Sequence, residues 1–88
     1  MSKGSTARRL PFVGAAVQFV DANSKIVEAA IVTRVLDPPE QKVVNLRVFG
    51  HDGIDRSVSV IAFEATARAM NASKIGFPVR LCWRWPVG

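Results

Sequence analysis

The sequence predicts an all-β protein: a small five-stranded antiparallel barrel of the Src-homology size class, with one short helix before the last strand and an extended N-terminal arm. Three observations carry that expectation. Apolar and polar residues alternate at period two through most of residues 15–85, the pattern of half-buried strands. Turn-forming clusters (Asp-Ala-Asn-Ser, Asp-Pro-Pro-Glu, Gly-His-Asp-Gly) interrupt the alternation at strand-length intervals. Finally, 88 residues, 49% hydrophobic and 22% charged, suffice for one buried core and not for two. The division is a flexible basic arm over residues 1–12 and a barrel domain over residues 13–88.

The arm holds Lys3, Arg8 and Arg9, no acidic residue, and then Leu10-Pro11-Phe12. Its basic part suits an anionic surface and its apolar end suits docking on a neighbour. A first strand is expected over 15–20, with Ala15, Val17 and Phe19 on one face. A second runs over 27–36, where Ala29, Ile31, Thr33 and Val35 share one face and Ala30, Val32, Arg34 and Leu36 the other. Pro38 and Pro39 remove two ladder donors and end it. In a third strand, over 43–49, Val44, Leu46 and Val48 point inward, with Val43, Asn45, Arg47 and Phe49 outward. Asp52-Gly53 then marks a hairpin, because glycine accepts the positive φ that tight turns require. The fourth strand, over 56–62, is expected to point Val58 and Val60 inward and Ser57, Ser59 and Ile61 outward.

Residues 63–74 change character. They are alanine-rich, and Phe63, Ala67 and Met70 fall at i, i+4, i+7, which predicts a short helix with Gly76 available beyond its end. The last strand, over 78–85, places Val79, Leu81, Trp83 and Trp85 on one face and Arg80, Cys82 and Arg84 on the other. Two tryptophans at i, i+2 are each large enough to dominate a small core, and one so near the chain end is also placed to anchor a partner.

Several chemistries have no support in the residues. A lone Cys82 forms no internal disulfide and is expected to serve as small-residue packing, although Arg80 and Arg84 on its face would favour a thiolate. One histidine with seven scattered carboxylates gives no zinc-ligand set, so no metal or cofactor is expected. His51 beside Asp52 lies in a tight turn with no nucleophile placed near it, and the expectation is that the protein is not an enzyme. Gly50 and Gly53 bracket a hairpin and form no phosphate loop. The uncharged stretch 10–20 is eleven residues long and interrupted by Pro11, Gly14 and Gln18, too short to cross a membrane. It follows Arg8-Arg9 but leads into a strand, so an unprocessed chain made inside the cell is expected.

Twelve Lys/Arg against seven Asp/Glu give a net charge of +5. Eight of the cations are arginine, which suits recognition of phosphate or carboxylate and is also enriched at protein interfaces. Arg34, Arg47, Arg80 and Arg84 are all expected to leave the barrel outward. Stacking aromatics are few: Trp83, Trp85 and Phe19 follow the inward parity, and Phe49 alone accompanies an outward arginine. The candidate partner-binding residues are therefore Arg8, Arg9, Leu10 and Phe12 of the arm, with Arg34, Val43, Arg47, Phe49 and Arg84 of the barrel.

Taken together, Gly14, Val17 and Phe19, then Ala29–Val35 (AAIVTRV), Val44–Phe49 (VNLRVF), Asp52-Gly53, Ser57-Val58 and Trp83–Pro86 (WRWP) form an ordered pattern. That pattern resembles a group of small accessory proteins encoded by tailed bacteriophages and prophages. The chain departs from the group in the alanine-rich segment 64–74, where a short Asp/Gly loop is usual, and at Arg84, where histidine is frequent. The resemblance implies a virion structural protein that is assembled in the host cytoplasm and carries no catalytic residue. Its expected role is capsid decoration or cementing on the lattice of the major capsid protein, or else a head-tail connection, with self-association on the particle. The alternative is a small basic nucleic-acid-binding barrel acting in the infected cell.

Overall fold

A computed structural model describes residues 9–74 and 78–86. The elements are β1 (Ala16–Asp21), β2 (Ile26–Val35), a 3-10 turn (Pro39–Gln41), β3 (Val44–Phe49), β4 (Asp55–Phe63), α1 (Glu64–Ser73) and β5 (Leu81–Arg84). Consecutive strands pair, and β5 returns to β1 to close a five-stranded barrel with the helix before the last strand. One seam departs from the antiparallel expectation: β4 and β5 run parallel. The helix is the reason. A chain that leaves β4, crosses through α1 and re-enters beside it arrives in the same direction, as parallel neighbours require.

The core is built by alternation. Val17 and Phe19 of β1, Ala30 and Val32 of β2, Val44, Leu46 and Val48 of β3, and Trp83 of β5 point inward and are buried. Trp83 is fully enclosed; Phe63 lies 4.7 Å from it and Trp85 meets it edge-on at 5.2 Å between ring centroids. Its indole N–H donates to the Lys42 carbonyl at 2.8 Å, tying β5 to the entry of β3.

Two register shifts correct the simple alternation. Ala30 and Val32 belong to the same alternating set as Arg34 yet are buried, and the slip between Val32 and Arg34 against β3 leaves Arg34 exposed. In β4 the correction is larger. Val44 pairs with Ile61 and Leu46 with Val58, so three steps of β4 span two of β3. Ile61 and Phe63 therefore turn inward, whereas Val60 turns out at 70% exposure, the reverse of the expected faces for Val60 and Ile61. Such a bulge inserts one residue and reverses the parity of everything beyond it.

In α1, Ala67 packs inward but Met70 is exposed, so the expected apolar stripe is only partly covered. Lys74 closes the helix at φ 59°, its N–H donating to the Asn71 carbonyl; Gly76 lies outside the described residues. No helix among the described residues is long and apolar enough to cross a membrane.

Candidate protein-binding surface

Outward residues of β1, β2 and β3 form an apolar strip that Gln18, opposite Ala29, and Arg47, opposite Ile31, interrupt. Ala16 stands opposite Ile31 across the first seam, and Ala29 stands opposite Phe49 across the second. With Val27 and Pro86 they line a shallow groove of about 410 Å³. Phe49 is 41% exposed, and Val27 and Ile31 are exposed beside it. Fully burying an aliphatic or aromatic side chain contributes about 1.5–3 kcal/mol, so this strip can anchor a partner. Arg47 lies opposite Ile31 and Arg34 opposite Asn45, both exposed on the same two strands. The 4.0 Å approach of Arg47 to Asp55 is an exposed pair that holds the guanidinium only weakly.

The remaining predicted residues are not brought into that strip together. Val43 immediately precedes β3 and lies in a second groove described below. Arg84 is a cross-link: its Nε donates to Gln18 Oε1 at 2.8 Å and an Nη lies 3.6 Å from Glu64, joining β5 to β1 and to α1. Arg80 is exposed on the approach to β5, two strands away from Arg34 and Arg47 in the barrel order. The four arginines therefore do not form one basic face. Of the arm, Arg8 lies outside the described residues, as does Lys3. Arg9 stacks on Trp85 at 4.0 Å from the ring centroid, Phe12 lies 6.4 Å from the same ring, and Pro11 is buried. Leu10 and Phe12 remain exposed.

The second groove, of about 510 Å³, lies between the 3-10 turn, β4, α1 and the start of β5. Val43, Val60, Ala62, Met70 and Leu81 supply its apolar lining and Glu40 its one charged residue. Val60 overhangs it from the bulge at φ 58°, held by its N–H donating to Asn45 Oδ1 at 2.9 Å. A β-branched residue in that left-handed conformation costs roughly 1–3 kcal/mol, and such strain concentrates at binding sites.

Sequence reasoning missed a buried charge. Glu28, on β2, is 4% exposed and points inward. Its carboxylate accepts the His51 backbone N–H at 3.1 Å, meets the His51 Nδ1 at 2.6 Å and receives Arg56 Nη2 at 2.5 Å. The His51 side-chain hydrogen bond, helped by its backbone N–H and by Arg56, outweighs the opposing effect of burial and holds the Glu28 carboxyl down at about 2. The arrangement clamps the β3–β4 hairpin onto β2. His51 thus pairs with Glu28 and not with Asp52, whose carboxylate accepts the Ile54 N–H at 3.1 Å within the turn. A signal was present: Glu28 shares parity with Ala30 and Val32. Cys82 lies buried against α1; desolvation first, and then Glu64, pushes its thiol up, the opposite of the thiolate that neighbouring arginines would favour. Among the described residues no group of three or more His, Cys, Asp or Glu is placed to hold a metal ion.

No family model, curated protein or solved structure matches this chain.

Proposed function

We propose that this protein is a structural component of a tailed-bacteriophage particle, a decoration or cement protein that docks on the major capsid protein lattice, or else a head-tail connecting component. The observation that carries the reading is the apolar strip Ala16, Ala29, Ile31 and Phe49, bordered by Arg34 and Arg47, on the β1–β3 face of the closed barrel. At Ala29, Ile31 and Phe49 the backbone is paired to a neighbouring strand on both sides, so binding through this face falls to its side chains. An apolar centre with an arginine border is the composition of protein interfaces. The resemblance of the sequence pattern to phage accessory proteins supports the particle as the place of that interface.

Mass spectrometry of purified particles tests the reading, with copy numbers on the capsid scale expected for decoration and low copy numbers for a head-tail position. Ile31→Asp or Phe49→Asp should abolish attachment while leaving the barrel folded. Absence from particles, together with submicromolar affinity for short DNA that falls steeply with salt, would replace this reading with the nucleic-acid one.

A further inference from the structure

Two further exposed features differ in shape and in charge. The first is the Val60 groove. Although the chain carries a net charge of +5, the described residues that line the groove include one carboxylate, Glu40, and no lysine or arginine. A bulge inserted for barrel closure alone would not need a bulky apolar side chain at its most exposed point, since glycine enters a positive φ without strain. The second feature is the segment Arg9–Val13, which is basic and apolar. Arg9 is held over Trp85, while Leu10, Phe12 and Val13 are 44%, 54% and 65% exposed. None of these residues lines the Val60 groove of its own chain.

We propose that the Arg9–Val13 segment of one copy docks in the Val60 groove of a second copy. Leu10 and Phe12 cover the floor formed by Val43, Ala62, Met70 and Leu81, Val60 closes over them, and Arg9 meets Glu40. The two halves of this contact are different surfaces, so a single contact leaves a free groove on one copy and a free arm on the other, which either pair reciprocally in a two-fold dimer or go on to build rings or chains. The contact is much smaller than the roughly 800 Å² per partner of a stable complex, so each link is weak in solution and strengthened where copies are gathered on a surface. The inference concerns the isolated protein and stands or falls independently of any virion role.

The test uses the full chain, with sedimentation equilibrium and amide NMR shifts followed up to about 1 mM, the range for weak contacts. The expected result is concentration-dependent association, with shifts at both Leu10–Val13 and Val60–Met70. Val60→Asp (groove) and Phe12→Asp (arm) should each weaken it at least tenfold. Mixing the two variants should restore a single one-to-one complex, because one intact groove then meets one intact arm; wild-type affinity marks a head-to-tail contact and a weaker one a reciprocal two-fold pair. Val60→Gly, which removes the side chain and relieves the backbone, provides a groove variant that keeps the fold if the aspartate disturbs the bulge. Monomer throughout the range would overturn the proposal. So would association that survives both variants, a mixture that stays monomeric, or association lost only on Ile31→Asp or Phe49→Asp, which would assign it to the β1–β3 strip.

Discussion

Trp83 and Glu28 flank the same residue: Phe19 on β1 stands opposite Glu28 on one side and Trp83 on the other. Both are buried and both tie a distant loop to the barrel, Trp83 through the Lys42 carbonyl and Glu28 through His51 and Arg56. One does so with a large apolar body carrying a single N–H. The other is a charge that stays ionised because its partners replace the water it lost. A small barrel can therefore hold its loops by volume or by charge, and the two devices fail in different ways.

The largest effect expected is on the apolar side. Trp83→Ala should cost about 3–5 kcal/mol, the range for emptying a buried tryptophan site, and in so small a domain that leaves much of the chain unfolded. Denaturant unfolding followed by circular dichroism measures it. Glu28→Ala should cost less, about 1–3 kcal/mol, since its partners His51 and Arg56 are half-exposed and recover water when the carboxylate is removed. A loss equal to that of Trp83→Ala would mean that the clamp, and not the tryptophan cluster, organises the barrel.

Acid separates the two devices. Because the Glu28 carboxyl is held at about 2 in the folded protein, against 4.5 ordinarily, its stabilisation is complete above pH 4.5 and is lost as pH falls toward 2. The stability gap between wild type and Glu28→Gln should therefore shrink across that window, while the gap between wild type and a Trp83 variant stays constant there. Parallel urea titrations between pH 2 and 6 check this. A gap that is flat for both would show that Glu28 is not charged in the folded state.

The same contrast explains how much could be read in advance. The strands, the closed barrel, the helix and the inward tryptophans follow from alternation and punctuation, because an apolar residue declares its side by its neighbours two positions away. The parallel seam and the bulge do not, since both depend on how the chain closes on itself. One extra residue at Val60 exchanges the faces of Val60 and Ile61, and with them the difference between core and binding groove. Arg47 and Phe49 point outward as expected, whereas Arg84 is taken up by Gln18 and Glu64, contacts made by distant strands and the helix. Ala16, Ala29 and Ile31 are not legible as a surface, because small or aliphatic outward residues look like core in a linear reading. Glu28 went unnoticed because its partners lie more than twenty residues away.

Asn45 gives an intermediate test. Its carboxamide oxygen holds the Val60 N–H at the bulge, so Asn45→Ala should cost about 1 kcal/mol, the usual net value of one hydrogen bond. If Val60 then relaxes, Ile61 and Phe63 should lose burial with it, seen as faster amide exchange along the end of β4. An unchanged exchange pattern would mean that barrel closure alone sets the bulge.

The smallest effect concerns Trp85, the ring next to Trp83. Trp83 has its indole N–H paired; the Trp85 N–H is buried without a partner among the described residues, and its outer face is covered by Arg9 at 4.0 Å. A cation over a tryptophan face is worth about 0.5–1 kcal/mol at partly exposed sites. Arg9→Ala should therefore lower stability by no more than that, and Arg9→Lys, which keeps the charge but loses the flat stacking group, should recover part of it. Removing residues 1–12 takes away the Ala15 N–H bond to the Phe12 carbonyl and the packing of Pro11, a loss of about 1–2 kcal/mol, but should leave a folded barrel because Gly14 and Ala15 still pair with Val32. If the truncated chain instead unfolds, the arm's packing on Trp85 is part of the core, and Trp85 belongs with Trp83 and Glu28 among the residues that hold the barrel shut.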